Sequence, residues 1–173
     1  MKEELIELLK ETNSVKYGEF ELSSGKKSDY YIDIKKASTN PLFLSKLGEY
    51  FEQKIGEPDK LAGIALGGIP LVVTASISTN IPYLMVRKKK KDYGTEEMIE
   101  GDFRPGEEVL VIEDVSTTGN SLLDGIKSLR DLEMKVSEAI VIVDREQGAK
   151  QNLADHQVEL KPVLEISNFM DRI

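Results

Sequence analysis

The chain has 173 residues, of which 40% are hydrophobic and 31% charged, and its net charge is −8 without a single cysteine. This balance predicts one globular domain, residues 1–173, with a single sizeable core. An acidic chain is poorly suited to bind nucleic acid, and the lack of cysteine excludes disulfides and thiolate metal sites. No apolar run approaches the ~20 residues of a membrane helix, and the N-terminus lacks a signal-peptide pattern, so we expect a cytoplasmic protein.

Helices and strands alternate along most of the predicted order. An amphipathic helix is predicted over residues 2–12, two strands joined by a turn over 20–34, and a helix over 40–55 that begins at Asn40-Pro41. Strands are then predicted at 61–66, 82–86, 108–112, 136–143 and 158–166, and helices at 70–78, 121–132 and 146–155. Residues 87–107 and 115–120 are predicted to be loops. The alternation indicates an α/β fold with a central, mainly parallel sheet flanked by helices.

In such a sheet, ligands bind beyond the carboxyl ends of the strands. The loops that begin at Leu66, Arg87, Glu113 and Asp144 all follow predicted strands, so they should gather at one edge. This edge is therefore the candidate site.

The most informative segment is Val109–Ser121, in which an apolar strand, two acids, a loop of small residues and a helix start follow one another. Glu113 and Asp114 suit the hydroxyls of a sugar and could help to hold a hydrated Mg²⁺. Residues 115–121 offer backbone N–H groups, hydroxyls and a helix N-terminus to a phosphate. On spacing alone, a strand–turn–helix junction whose acids cap the helix is an equal alternative.

Three other segments at this edge suit an anionic ligand, and each has an ordinary alternative. Gly67 and Gly68 would let the backbone approach a ligand closely, although a simple strand-to-helix turn explains them better when taken alone. The five consecutive cations of residues 87–91 form a candidate anion site or a solvated charge run. Arg145 could bind a carboxylate through two hydrogen bonds or pair with a neighbouring acid.

These segments together resemble the type I phosphoribosyltransferases. Residues 109–121 are similar to the motif by which that family binds 5-phosphoribosyl-1-diphosphate (PRPP). Residues 87–94 are similar to the basic catalytic loop of the orotate phosphoribosyltransferases, whose pattern is Arg-Lys-x-x-Lys-Asp-His-Gly. Residues 20–33 are similar to their N-terminal hood, with its Ser-Gly-Lys/Arg-Lys-Ser-x-Tyr core. The resemblance implies the type I phosphoribosyltransferase fold, with a small hood formed mainly by residues 1–40.

The resemblance also implies a role for each matching position. PRPP would be bound by Gly67, Gly68, Arg87, Lys88, Lys91, Tyr93, Glu113, Asp114, Val115, Ser116, Thr117, Thr118, Gly119, Asn120 and Ser121. Orotate would be bound by Lys27, Tyr31, Thr117 and Arg145, although Tyr30 or Tyr31 could instead be core packing. Catalysis would depend on Arg87, Lys88, Lys91 and Asp114. Mg²⁺ would enter with PRPP, with Glu113 and Asp114 as its candidate protein ligands.

The implied reaction transfers the 5-phosphoribosyl group from PRPP to orotate, which gives orotidine 5′-monophosphate and pyrophosphate on the route to UMP. The implied assembly is a homodimer in which the basic loop acts in the neighbouring subunit's site. The resemblance further implies a strained or cis non-proline peptide near Leu66–Gly67. Three positions depart from the pattern: Tyr93 replaces a histidine, and Ser23 and Gly67 stand where bacterial members commonly have lysine.

Two alternative functions share parts of this pattern. A purine phosphoribosyltransferase would have the motif of residues 109–121 but is not expected to have this hood and basic loop. A ligand-sensing regulator could reuse the fold but would normally need a DNA-binding module, for which Lys26 and Lys27 are too few cations.

Overall fold

The computed structural model describes residues 1–21, 27–87 and 98–170. Its helices are α1 (Lys2–Glu11), α2 (Ile34–Ala37), α3 (Pro41–Lys54), α4 (Gly68–Thr79), α5 (Asn120–Arg130), α6 (Ala149–Asp155) and α7 (Ile166–Met170). Its strands are β1 (Val15–Glu21), β2 (Lys27–Ile32), β3 (Lys60–Ile64), β4 (Tyr83–Val86), β5 (Ile99–Glu100), β6 (Glu108–Ser116), β7 (Lys135–Asp144) and β8 (Glu159–Glu165).

The central sheet has six strands in the order β5–β4–β3–β6–β7–β8. All neighbours in it are parallel except β4 and β5, which are antiparallel. Strands β1 and β2 form a separate antiparallel hairpin. The α/β prediction with a mainly parallel sheet is therefore confirmed.

Both faces of the sheet are covered, because successive strand residues point to opposite sides. On one face, Leu110 and Ile112 of β6 belong to a core that also contains buried side chains of α1, α3 and α4. On the other face, Val109 and Val111 belong to a core with buried side chains of α5 and α6. In the described part of the chain, no helix is both long enough and apolar enough to cross a membrane.

The start of α3 shows how local sequence fixes an element. The Asn40 side chain accepts hydrogen bonds from the backbone N–H groups of Leu42 and Phe43, at 2.9 and 3.2 Å. Pro41 occupies the first turn, where its missing N–H group costs nothing. The predicted helix start is thus confirmed.

Two predicted boundaries are wrong in ways that affect the site. Strand β6 continues to Ser116, whereas we predicted its end at Ile112 and a loop from Val115. The reason is tertiary, because β7 continues to pair alongside it, with Val115 opposite Val143 and Ser116 opposite Asp144. The predicted loop at 87–107 also contains the two-residue strand β5. Helices α2 and α7 were not predicted, because four or five residues are too short to show a helical period.

Candidate active site

The carboxyl ends of β3, β6 and β7 bring together most of the predicted site segments. Strand β6 lies between the other two in the sheet. The loop after β3 reaches the end of β6, since a Cβ atom built on Gly68 would lie 3.3 Å from Glu113 Oε2. The loop after β7 is attached there too, because the Arg145 N–H donates to the Ser116 carbonyl at 2.9 Å. The predicted gathering of these three loops is confirmed.

The two acids are buried at the end of β6, with Glu113 4% and Asp114 7% exposed. Asp114 Oδ1 accepts a hydrogen bond from the Val115 N–H at 2.8 Å. Asp114 Oδ2 lies 3.1 Å from the ammonium of Lys35, which extends from α2. Partial burial lowers the pKa of Lys35, but the Asp114 carboxylate, with smaller contributions from Tyr31 and Asp33, offsets this effect, so the pKa is raised overall. The acid pair therefore has a cationic partner from the N-terminal part of the chain.

Sequence reasoning missed Lys35. The residue is 79 positions away from Asp114, so no local spacing connects the two. The only available signal was the Lys35-Lys36 pair directly after the predicted hairpin, and that pair reads equally well as solvated surface.

The loop between β3 and α4 packs tightly against the acid pair. A Cβ atom on Gly67 would lie 2.0 Å from Asp114 Oδ2 and 2.3 Å from its Cγ, far inside contact distance. A Cβ atom on Gly68 would lie 2.6 Å from the carbonyl oxygen of Ile112. The peptide between Ala65 and Leu66 is cis, one position before the bond at which we expected an irregular peptide. Both glycines are therefore required by close packing against β6.

The segment from Ser116 to Ser121 forms the turn into α5. Gly119 has a φ of 83°, and no side chain caps the N-terminus of α5. Asn152 of α6 holds the turn by donating to the Thr118 carbonyl at 2.7 Å and to Asn120 Oδ1 at 2.9 Å. Ser116 Oγ is buried and has no hydrogen-bond partner among the residues that the structure describes. The contacts of Asn152 thus hold the turn in place. Because the N-cap residue Gly119 has no side chain, none caps the N–H groups at the start of α5, and helix N-termini of this kind suit a phosphate.

The hairpin contacts the site through a residue that we did not predict. The Arg145 guanidinium lies 4.7 Å from the centre of the Tyr30 ring, a cation–π distance. Tyr31 faces the other side of β2, where its ring centre is 5.7 Å from that of Phe20. Lys27 is exposed at the first residue of β2. Tyr30 is therefore the ring that joins the hairpin to Arg145, while the orotate contact assigned to Tyr31 remains a prediction.

The pairing of β4 with β5 places Arg87, just after β4, next to Met98 and Glu100. The Arg87 N–H donates to the Met98 carbonyl at 2.8 Å, and Arg87 Nη1 lies 3.2 Å from Glu100 Oε1. The predicted residues Lys88, Lys91 and Tyr93 lie outside the described residues, as does Ser23. Their assigned roles remain predictions.

Asp144, at the end of β7, is a further buried acid beside Arg145. It is 1% exposed, and its Oδ1 accepts a hydrogen bond from the Glu146 N–H at 3.0 Å. Burial raises the pKa of this carboxyl. Within the described ranges, no cluster of three or more histidine, aspartate or glutamate side chains could hold a metal ion.

A family model, a relative in sequence and two solved structures all relate this chain to phosphoribosyltransferases. The family model described as "Phosphoribosyl transferase domain" matches residues 34–169. The orotate phosphoribosyltransferase of Methanocaldococcus jannaschii is 48% identical over 169 residues, which cover 97% of this chain and 96% of that protein. The crystal structure of orotate phosphoribosyltransferase from Aeropyrum pernix superposes with a TM-score of 0.84 and 29% identity, covering 97% of this chain and 98% of that one. The crystal structure of the Mycobacterium tuberculosis orotate phosphoribosyltransferase in complex with PRPP superposes with a TM-score of 0.79 and 27% identity, covering 97% of this chain and 98% of that one.

Proposed function

The chain belongs to the orotate phosphoribosyltransferase family, and from this premise we propose that it transfers the 5-phosphoribosyl group of PRPP to orotate. The products are orotidine 5′-monophosphate and pyrophosphate, and the reaction serves pyrimidine (UMP) biosynthesis. The proposal is supported above all by the buried carboxylates of Glu113 and Asp114 at the end of β6, which lie beside the turn that leads into the N-terminus of α5.

Different residues of the site bind the two substrates. The carboxylates of Glu113 and Asp114 accept hydrogen bonds from the ribose 2- and 3-hydroxyls of PRPP, and the turn of residues 116–121 binds the 5-phosphate. Arg145 binds the carboxylate of orotate, with Tyr30 behind its guanidinium. Orotate N1 is readily deprotonated, so the main barrier is cleavage of the anomeric C–O bond, which leaves negative charge on pyrophosphate. Orientation of the two substrates and cationic stabilisation of that charge account for the rate.

We propose Mg²⁺ as the cofactor, bound mainly through the substrate. The acid pair of β6, Glu113 and Asp114, offers two carboxylates, which is too few for an all-protein site but fits a Mg²⁺ that retains phosphate and water ligands. When bound, the ion would neutralise charge on the leaving pyrophosphate.

The proposed homodimer has a candidate surface on α4. This helix carries no charged residue, buries Leu71, Val72 and Ala75 on one side, and leaves Ile77 79% exposed on the other. Leu66, just before α4, is 73% exposed and adjoins the site through Gly67. Exposed apolar surface of this kind commonly marks a contact with another protein. A second copy packed here would also lie close to the first copy's active site.

We expect Ile77→Glu to give a monomer, because a carboxylate would have to lose its water in the apolar contact. Sedimentation velocity measures the result, with Leu42→Glu as the control, since Leu42 is 64% exposed on α3, outside the proposed contact. An Ile77→Glu protein that still sediments as a dimer would remove α4 from the interface.

We propose that Lys88 and Lys91 act in the partner's site, and mixed dimers test this. Lys91→Ala lacks a working loop and Asp114→Asn lacks a working site, so each alone should be nearly inactive. If the loop acts across the dimer, mixing the two restores activity, because the loop of the Asp114→Asn subunit serves the intact site of its partner. No recovery in a mixture shown to contain mixed dimers would mean that the loop acts within its own subunit.

The choice of base distinguishes an orotate phosphoribosyltransferase from a purine phosphoribosyltransferase. Purified protein with Mg²⁺ and PRPP should consume orotate and leave adenine, guanine and hypoxanthine unchanged. Consumption of a purine instead of orotate would make the chain a purine enzyme that retains the same PRPP motif.

A further inference from the structure

Lys35 brings a positive charge to the centre of the site from outside the sheet. Its Nζ lies 3.1 Å from Asp114 Oδ2, and its side chain is 50% exposed. An ammonium has three N–H donors, so the contact with Asp114 leaves it able to bind an anion as well. Its exposed fraction leaves Lys35 open to a ligand bound over the acid pair.

The loop beside Asp114 provides no charge of its own. Residues 65–70 read Ala-Leu-Gly-Gly-Ile-Pro. Position 67 cannot carry a side chain while Asp114 keeps its place, because a Cβ there would lie 2.0 Å from the same Oδ2 atom that contacts Lys35. Among the described residues, the cation at this point of the site therefore comes from α2.

The helix that carries Lys35 is firmly attached. Ile34 and Ala37 are fully buried, and Asp33 Oδ1 caps the helix by accepting from the Lys36 N–H at 3.1 Å. The Asp33 N–H donates to the Ser14 carbonyl at 2.7 Å. Lys36, the next residue, extends elsewhere and donates to the Asn13 carbonyl at 3.0 Å. Two adjacent lysines on one short helix thus have different environments.

The stereochemistry of PRPP determines what lies next to Lys35. Its diphosphate is in the α configuration at C1, so it lies on the same face of the ribose as the 2- and 3-hydroxyls. A carboxylate that holds those hydroxyls therefore has the diphosphate as its neighbour. Resting on the proposed function, we propose that Lys35 binds the diphosphate of PRPP and thereby supplies from α2 the cation that the Gly67 loop lacks.

The reverse reaction tests this proposal, because orotidine 5′-monophosphate and pyrophosphate are then separate substrates. Lys35→Met should raise the KM for pyrophosphate roughly 10- to 100-fold, the usual effect of losing a hydrogen bond between charged groups. The KM for orotidine 5′-monophosphate should rise much less. Lys35→Arg should recover most of the loss, and Lys36→Met, the matched control, should behave as wild type.

Binding of pyrophosphate by calorimetry, with melting curves for each variant, gives a readout that is independent of turnover. A folded Lys35→Met protein with unchanged affinity and KM for pyrophosphate would overturn the proposal, and so would an equal loss in Lys36→Met. Failure of the wild-type protein to form product in either direction would count instead against the proposed function.

Discussion

Asp114→Asn should lower kcat/KM for PRPP on the order of 100-fold, because it removes the charge from the carboxylate that contacts Lys35 and that we propose binds the ribose hydroxyls. The amide has nearly the same shape as the carboxylate, so the contact with Gly67 is preserved and the fold should remain intact. The KM for orotate should change little, because the proposed orotate ligand Arg145 follows β7, and its neighbour Tyr30 lies on β2. Steady-state kinetics with each substrate varied in turn measures the effect.

The control for this substitution is Asp124→Asn. Asp124 is exposed on α5 and has no proposed contact with either substrate, so the same chemical change there should leave kcat/KM at the wild-type value. Equal activity of the Asp114→Asn and Asp124→Asn proteins would show that the acid pair does not bind the ribose.

Gly67→Ala should also cause a large loss of activity, although it adds only one methyl group. The new Cβ would lie 2.0 Å from Asp114 Oδ2, so either the carboxylate or the loop must move. Overpacking of this kind typically costs about 1–3 kcal/mol of stability. Displacement of Asp114 should in addition raise the KM for PRPP. Kinetics and thermal unfolding of the same preparation measure the two effects.

Gly56→Ala is the matched control, since a Cβ atom on Gly56 would have no neighbour within 4 Å. It should leave activity unchanged. If Gly67→Ala kept wild-type kinetics, then the close contact between this loop and Asp114 would have no functional importance.

The fold was largely predictable because its signals are local. Apolar strands and amphipathic helices differ in period, and caps such as Asn40 mark helix starts within a few residues. The end of β6 was not predictable in the same way. The segment from Glu113 to Ser116 has no strand-like alternation, and its conformation depends on pairing with β7. The practical result is that both acids lie within a strand, which fixes their positions more firmly than a loop would.

The parts of the candidate site whose residues are adjacent in sequence were predictable. The parts that depend on tertiary packing were not. The acid pair and the turn to Ser121 follow one another in sequence, so one segment suggested a ribose phosphate. Lys35 reaches Asp114 only through the packing of α2. The contact between Tyr30 and Arg145 was not predictable either, because two adjacent tyrosines in a strand give no signal of which one faces Arg145.

We propose that this site breaks the anomeric C–O bond of PRPP and joins the phosphoribosyl group to orotate. The most direct measurement is product stoichiometry, in which purified protein is incubated with orotate, PRPP and Mg²⁺ and both products are quantified over time. We predict equal amounts of orotidine 5′-monophosphate and pyrophosphate, with the Asp114→Asn protein strongly impaired in forming both. Pyrophosphate release without orotidine 5′-monophosphate, or no reaction at all by folded wild-type protein, would contradict the proposed transfer to orotate.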